Sequence, residues 1–230
     1  MTTQQQTVLI AGASGVVGSA LLTQLLQDDS VGRVIALVRR PLQVAAQPKL
    51  AQRVCPDLAS IPAGLVVDSQ IDACYIALGS TIAAAGSRAA FRRVDVDAVL
   101  AVARAAQTAG CQRLAVVSAL ESNAKSPVFY SRVKGEMEQG LIGMGFTRLV
   151  IARPSIIDGD RAALGQAHRR GEGMALRCMK ALGWLIPQAF APIAGTTIAQ
   201  AMRQRLAADG AAVEILRSGQ MQNLAAKPSY

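Results

Sequence analysis

The stretch from Thr7 to Arg40 constrains this chain more than any other, because it reads as strand, glycine turn, helix and second strand in direct succession. Thr7-Val8-Leu9-Ile10-Ala11 is a short apolar, β-prone run, as expected of a buried strand. Gly12-Ala13-Ser14-Gly15-Val16-Val17-Gly18 follows at once, and Ser19 to Gln27 then carries Leu21, Leu22, Leu25 and Leu26 at helical spacing. After Asp28-Asp29-Ser30, Arg33-Val34-Ile35-Ala36-Leu37-Val38 reads as a second strand ending on Arg39-Arg40. A glycine turn between a strand and a helix aims backbone N–H groups and the helix N-terminus at a pyrophosphate. In this reading Gly12 permits the tight turn, Gly15 lets phosphates approach the backbone, and Gly18 lets the helix pack on the strand. Ser14, Val16 and Val17 belong to the same candidate contact. The spacing is GxxGxxG and not GxGxxG, so the flanking strands and helix carry the inference. A glycine-rich connection in an unrelated α/β protein is the alternative.

The end of the second strand bears on which dinucleotide fits. An acidic residue there would accept hydrogen bonds from the adenosine ribose and repel a 2′-phosphate. This chain has Arg39 and Arg40 instead. A guanidinium binds phosphate bidentately and stacks on adenine, and the Ser14 hydroxyl adds a further donor. The expectation is NADP(H); two solvated arginines are the alternative.

At 230 residues the chain is long enough for one domain with a proper core. It is 51% hydrophobic but 3% aromatic, so Ala, Val and Leu do most of the packing, as in a parallel sheet covered on both faces. Met1 to Gln6 is polar and the apolar run after it is short for a secretory signal. No uncharged run reaches membrane-spanning length; Met174 to Ala194 is interrupted by Arg177, Lys180 and Pro187. A cytoplasmic protein without membrane contact is the default expectation. Cys55, Cys74, Cys111 and Cys178 are dispersed, and His168 is the only histidine, so neither a metal site nor a disulfide is expected. The formal charge of +9 is scattered in ones and twos with few aromatics, which does not make a nucleic-acid surface.

Further along, apolar runs at 51–55, 72–78, 113–118 and 147–152 read as strands, and 91–108 and 128–144 as long helices. Ser80 to Arg88 is expected as a mobile loop over the cofactor. Thr196-Thr197 is expected to cap a helix running to Ala208, and the tail beyond Val213 to add a short strand. The alternation gives an α/β fold with a doubly wound parallel sheet. It is read as one domain over 1–230, with 155–195 as a small substrate-side lobe.

The chemistry is read from Tyr130-Ser131-Arg132-Val133-Lys134 at the start of the second long helix. A spacing of four puts Tyr130 and Lys134 on one helical face. An ammonium beside a phenol favours the phenolate, so the tyrosine can act as acid toward a carbonyl oxygen or as base toward an alcohol. Ser118, at the preceding strand end and twelve residues upstream, is expected to point into the same crevice and hold the substrate oxygen. An exposed Tyr/Lys pair on an amphipathic helix is the plainer alternative.

With these residues in place, the chain resembles the atypical branch of the short-chain dehydrogenase/reductase superfamily, a group with an NAD(P)-binding Rossmann fold. Within it, the chain is most similar to the Tat-interacting-protein-like oxidoreductases. The similarity runs from Val8 to about Leu206 and rests on Gly12-Ala13-Ser14-Gly15, Arg39-Arg40, Leu78-Gly79-Ser80-Thr81 and Phe91-Arg92-Arg93-Val94-Asp95. It continues through Tyr130 to Glu136, Arg153-Pro154 and Gly183 to Pro187. The resemblance implies Tyr130 as acid/base, Lys134 also holding the nicotinamide ribose, and Ser118 orienting substrate. It implies Asp57 and Leu58 beside the adenine, Leu78 and Gly79 by the adenosine ribose with Ser80 also contacting the cofactor, and Pro154, Ser155 and Ile156 by the nicotinamide. Many relatives carry an asparagine in the helix after the fourth strand, supporting a water relay to the lysine. Here Asp95 and Asp97 occupy that helix start.

The leading expectation is an NADP(H)-dependent oxidoreductase acting on a small carbonyl or alcohol, as monomer or homodimer. The alternatives are an NADP(H)-binding redox sensor working through a protein partner, and a nucleotide-sugar epimerase or dehydratase.

Overall fold

The computed structural model describes residues 5–66, 70–158 and 191–226. Strands β1 (Gln6–Ala11), β2 (Val31–Val38), β3 (Leu50–Val54), β4 (Ala73–Ile76), β5 (Arg113–Val117) and β6 (Arg148–Arg153) join one sheet. Two-residue strands β7 (Ile157–Asp158) and β8 (Ile193–Ala194) pair separately, and β9 (Val213–Arg217) closes the large sheet. The order is β3-β2-β1-β4-β5-β6-β9, with every neighbouring pair parallel. This is a Rossmann α/β sheet, and the order reverses between β1 and β4. A crevice therefore opens outside the carboxyl ends of those strands, where ligands bind in such folds.

The continuous apolar runs follow from burial on both faces. Along β1, Val8 and Ile10 join a core layer with Leu21, Leu22 and Leu25 of α1 (Val16–Leu26) and with Ile198 and Met202 of a later helix. Leu9 and Ala11 join the opposite layer, with Phe91, Val99, Val102, Val133 and Met137. Cys55, Cys74 and Cys111 are buried core residues; Cys178, His168 and Trp184 lie outside the described residues, as does most of the expected 155–195 lobe.

Three segments differ from expectation. The 80–88 stretch is not an open loop: it holds α2 (Ile82–Ala85), and α3 (Arg88–Arg92) starts at its end. Thr81 Oγ1 accepts the Ala84 N–H at 3.0 Å, and Ser87 Oγ accepts the Ala90 N–H at 3.0 Å. Two hydroxyl caps and an alanine run suffice to nucleate short helices there. The helix expected over 91–108 is likewise not uniform. It runs from α3 through a π-helical stretch, Arg93–Ala98, into α4 (Val99–Thr108). Then α5 covers Phe129–Gly143. Thr196 and Thr197 do not cap their helix: α6 (Gly195–Ala207) starts one residue earlier from Ala194, with no side-chain cap. Its first residue packs on α1, where a Cβ on Gly195 would lie 2.7 Å from Val16 Cγ1. The tail strand is β9, and α7 (Ser218–Ala226) follows it.

Candidate active site

At the carboxyl end of β1 the three glycines differ in what fixes them. Gly12 has φ +89°, and a Cβ there would stand 2.4 Å from the Ala77 carbonyl oxygen. A Cβ on Gly18 would lie 1.9 Å from the Gly12 oxygen, so α1 can approach the turn only through glycine. At Gly15 the nearest atoms to a Cβ are the Gly12 oxygen at 3.4 Å and the Ala77 oxygen at 3.9 Å, ordinary contacts. The fold itself does not require glycine at that position, and without a side chain the backbone there is open to close approach. Gly15 is also the N-cap of α1 and supplies no side-chain cap to the first-turn N–H groups, which include those of Val16 and Val17. Ser14 is exposed in the same turn. These features fit a pyrophosphate.

Arg39 and Arg40 both stand exposed just past β2. At the end of β3, Leu58 is buried, while Asp57 bonds the Ala59 N–H at 3.1 Å and pairs with Arg93. The Arg93 hydrogen bond holds the Asp57 carboxyl below its ordinary pKa. Leu78, Gly79 and Ser80 follow β4, and the Ser80 N–H donates to Asp95 Oδ2 at 2.9 Å.

On α5, Tyr130 is 36% exposed and its ring packs against Phe91, with centroids 5.6 Å apart. Lys134, one turn on, is buried, and its Nζ meets Asp95 Oδ1 at 2.7 Å. Burial pushes the Asp95 carboxyl above its ordinary pKa although Lys134 and the Ser80 N–H pull it down. The Tyr130–Lys134 pair thus reads as one exposed phenol backed by a buried ammonium. Asp97, by contrast, is exposed.

A cavity of about 370 Å3 lies beside the phenol, lined by Ala119, Leu120, Glu121, Tyr130, Ser131, Pro154, Ser155 and Ile156. It brings Tyr130 together with the Pro154–Ile156 segment. Ser118 is placed differently. It is 4% exposed, donates to the Glu138 carboxylate, shares a hydrogen bond with Ser122 Oγ at 2.9 Å, and does not line the cavity. The buried Glu138 accepts from Ser118 and from Arg153, whose Nε lies at 2.9 Å, so the serine faces α5 and not the crevice. Sequence reading missed Glu138 and the contact of Phe91 with Tyr130. The available signal was spacing, since Glu138 follows Lys134 by four, as Asp95 follows Phe91.

A parallel sheet in this order with a glycine turn on its first strand is a Rossmann fold, and it carries a Tyr/Lys pair at its carboxyl edge. The chain belongs to the NAD(P)H-binding family, whose model matches residues 12–147. Among curated relatives, the mitochondrial protein fmp52 of Emericella nidulans is 36% identical over 180 residues, covering 76% of each chain. The mitochondrial FMP52 of Eremothecium gossypii is 32% identical over 233 residues, covering 94% of this chain and 96% of its own. Among solved structures, MoeE5 in complex with UDP-glucose and NAD matches with TM-score 0.67 at 17% identity, covering 94% of this chain and 79% of that one. An oxidoreductase of the short-chain dehydrogenase/reductase family from Burkholderia thailandensis matches at 0.66 and 19% identity, covering 96% and 94%. The relatives' names overturn the cytoplasmic expectation, a default drawn from the lack of a secretory signal and of a membrane-spanning run; they point to mitochondria. No described helix is long and apolar enough to cross a membrane.

Proposed function

We propose that this chain is an NADP(H)-dependent oxidoreductase that interconverts a small apolar carbonyl compound and its alcohol, with Tyr130 as general acid/base. The observation that carries the reading is the exposed Tyr130 phenol on the wall of the cavity, with buried Lys134 one turn behind it. When bound, the nicotinamide supplies or accepts the hydride. Tyr130 gives its phenolic proton to the carbonyl oxygen in reduction and takes the hydroxyl proton in oxidation. Lys134 supplies positive charge behind the phenol and holds the nicotinamide ribose. Gly15 and the first-turn N–H groups of α1 hold the pyrophosphate. Arg39 and Arg40 take the 2′-phosphate, with no acid at the end of β2 to oppose it. Ser118 acts behind the wall, through Glu138, rather than on substrate.

The described cavity wall favours an apolar substrate: Ala119, Leu120, Pro154 and Ile156 make up half of it, and Glu121 is its one charged side chain. Among those lining residues there is no cation to receive a diphosphate, which weighs against a nucleotide sugar. A cofactor-sensing regulator is the second reading, favoured by the engagement of Ser118 away from the cavity.

The test is turnover of a panel of hydrophobic aldehydes and ketones with NADPH, by wild type and Tyr130→Phe. The variant is expected to lose about 100- to 10,000-fold in kcat with NADPH affinity nearly intact. Turnover retained in Tyr130→Phe removes the acid/base assignment. Absence of turnover in wild type, with NADPH bound and partner capture responding to it, favours the sensor.

A further inference from the structure

Two residue pairs of equal spacing face each other behind the cavity. Phe91 and Asp95 are four apart on the segment that passes into the π-helical stretch, and Tyr130 and Lys134 are four apart on α5. The Phe91 and Tyr130 rings lie 5.6 Å apart at 37°, while Asp95 Oδ1 and Lys134 Nζ lie 2.7 Å apart. Phe91 and Asp95 are both fully buried. The pairs match in chain direction, so they stack as two rungs, one aromatic and one ionic. The neighbouring charges turn outward: Arg92 pairs with Glu136, and Arg93 with Asp57.

The ionic rung has a third attachment. Asp95 Oδ2 accepts the Ser80 N–H at 2.9 Å, and Gly79 packs over the pair. A Cβ at Gly79 would stand 3.6 Å from Asp95 Oδ1 and 3.7 Å from Lys134 Nζ. Asp95 thereby joins the loop after β4 to the lysine of α5. A buried ion pair is a poor source of net stability, since removing both charges from water costs about what their attraction returns. What it does supply is fixed geometry. π-Helical turns within α-helices often mark functional sites, and this one holds the carboxylate.

We propose that Phe91 and Asp95 are positioning residues, the ring setting the pose of Tyr130 and the carboxylate locking Lys134 to the Gly79–Ser80 loop. The cofactor-facing loop and the acid/base pair are then one rigid unit. The inference rests on the oxidoreductase reading for the roles of Tyr130 and Lys134, but its first readout does not depend on turnover.

That readout is a double-mutant cycle by thermal unfolding. Lys134→Met strands a buried carboxylate and is expected to lower Tm by roughly 10 °C, and Asp95→Asn/Lys134→Met to recover most of that loss. The second readout is NADPH titration by nicotinamide fluorescence. Asp95→Asn, which keeps an acceptor for Ser80, is expected to bind NADPH about tenfold more weakly, as for loss of one charge-assisted hydrogen bond. Phe91→Leu is expected to bind NADPH normally and to lose kcat rather than raise KM. Additive Tm losses, or wild-type NADPH affinity in Asp95→Asn, overturn the positioning role while the oxidoreductase reading stands. If wild type binds no NADPH, that reading falls and the positioning role with it, leaving a structural pair.

Discussion

The two ends of the sheet use charge in opposite ways. At the amino end, arginines close the fold. Arg113 Nε donates to the Leu206 carbonyl at 3.0 Å, and Arg148 Nη2 donates to the Arg205 carbonyl at 2.8 Å. Both cap the carbonyl terminus of α6, where cations are favoured. Arg148 and Arg205 share Glu214, and Arg203 pairs with Asp28. At the carboxyl end the buried charges, Lys134, Asp95 and Glu138, stand behind a wall that ends in an exposed phenol. The larger cavity, about 560 Å3, lies at the amino end around Asp28, Tyr75 and Arg203; the one beside Tyr130 is about 370 Å3. Volume therefore does not mark the site here. The difference lies in what the charges hold: backbone carbonyls and one another at the amino end, and at the carboxyl end the helix that carries the exposed phenol.

That contrast is breakable by substitution. The largest effect is expected within the glycine turn: Gly18→Val drives a side chain into the Gly12 carbonyl and should give no folded protein, seen as loss of a cooperative unfolding transition. Arg148→Ala comes next. It leaves a partly buried Glu214 short of a partner and two carbonyls without a donor, so a loss of about 3–5 kcal/mol in denaturant unfolding is expected, with NADPH affinity unchanged. Gly15→Ala should do the reverse, keeping stability within about 1 kcal/mol while weakening NADPH binding measurably by calorimetry.

The smallest effect is the pH dependence of the amino end. Burial works to raise the carboxyls of Asp28 and Glu214. Hydrogen bonds from Ser30 and Arg203 to the first, and from Arg205 and Arg148 to the second, outweigh it and leave both below their ordinary values. The unfolded chain then binds protons more readily, so this stabilisation is full above the ordinary carboxylate range and lost as pH falls through the depressed values. Acid unfolding followed by circular dichroism should be less steep in Asp28→Asn, which is already weakened at neutral pH. An unchanged acid limb would remove Asp28 from the account.

Local pattern made much of this fold legible. The apolar runs located the sheet, and the turn between Ala11 and Val16 identified its first crossover. The YxxxK spacing picked out the one phenol that lines the cavity. What escaped was set by partners distant in sequence. Ser118 sits at the expected strand end, but its direction is decided by Glu138, twenty residues on, and by Arg153 on the next strand. Asp95 was visible as a departure from an asparagine, yet nothing local says that its carboxylate meets Lys134. The helices at 82–92 were misread because small polar residues suit loops and caps alike, and Thr81 and Ser87 are caps.

The measurement that tests the account most directly is a parallel titration of wild type and Arg39→Ala with NADPH and NADH. The account predicts clear binding of both cofactors with NADPH tighter, and an Arg39→Ala chain that loses the preference while still binding NADH. Equal affinities in wild type would contradict the 2′-phosphate assignment, and binding of neither would make the glycine turn structural and end the oxidoreductase reading.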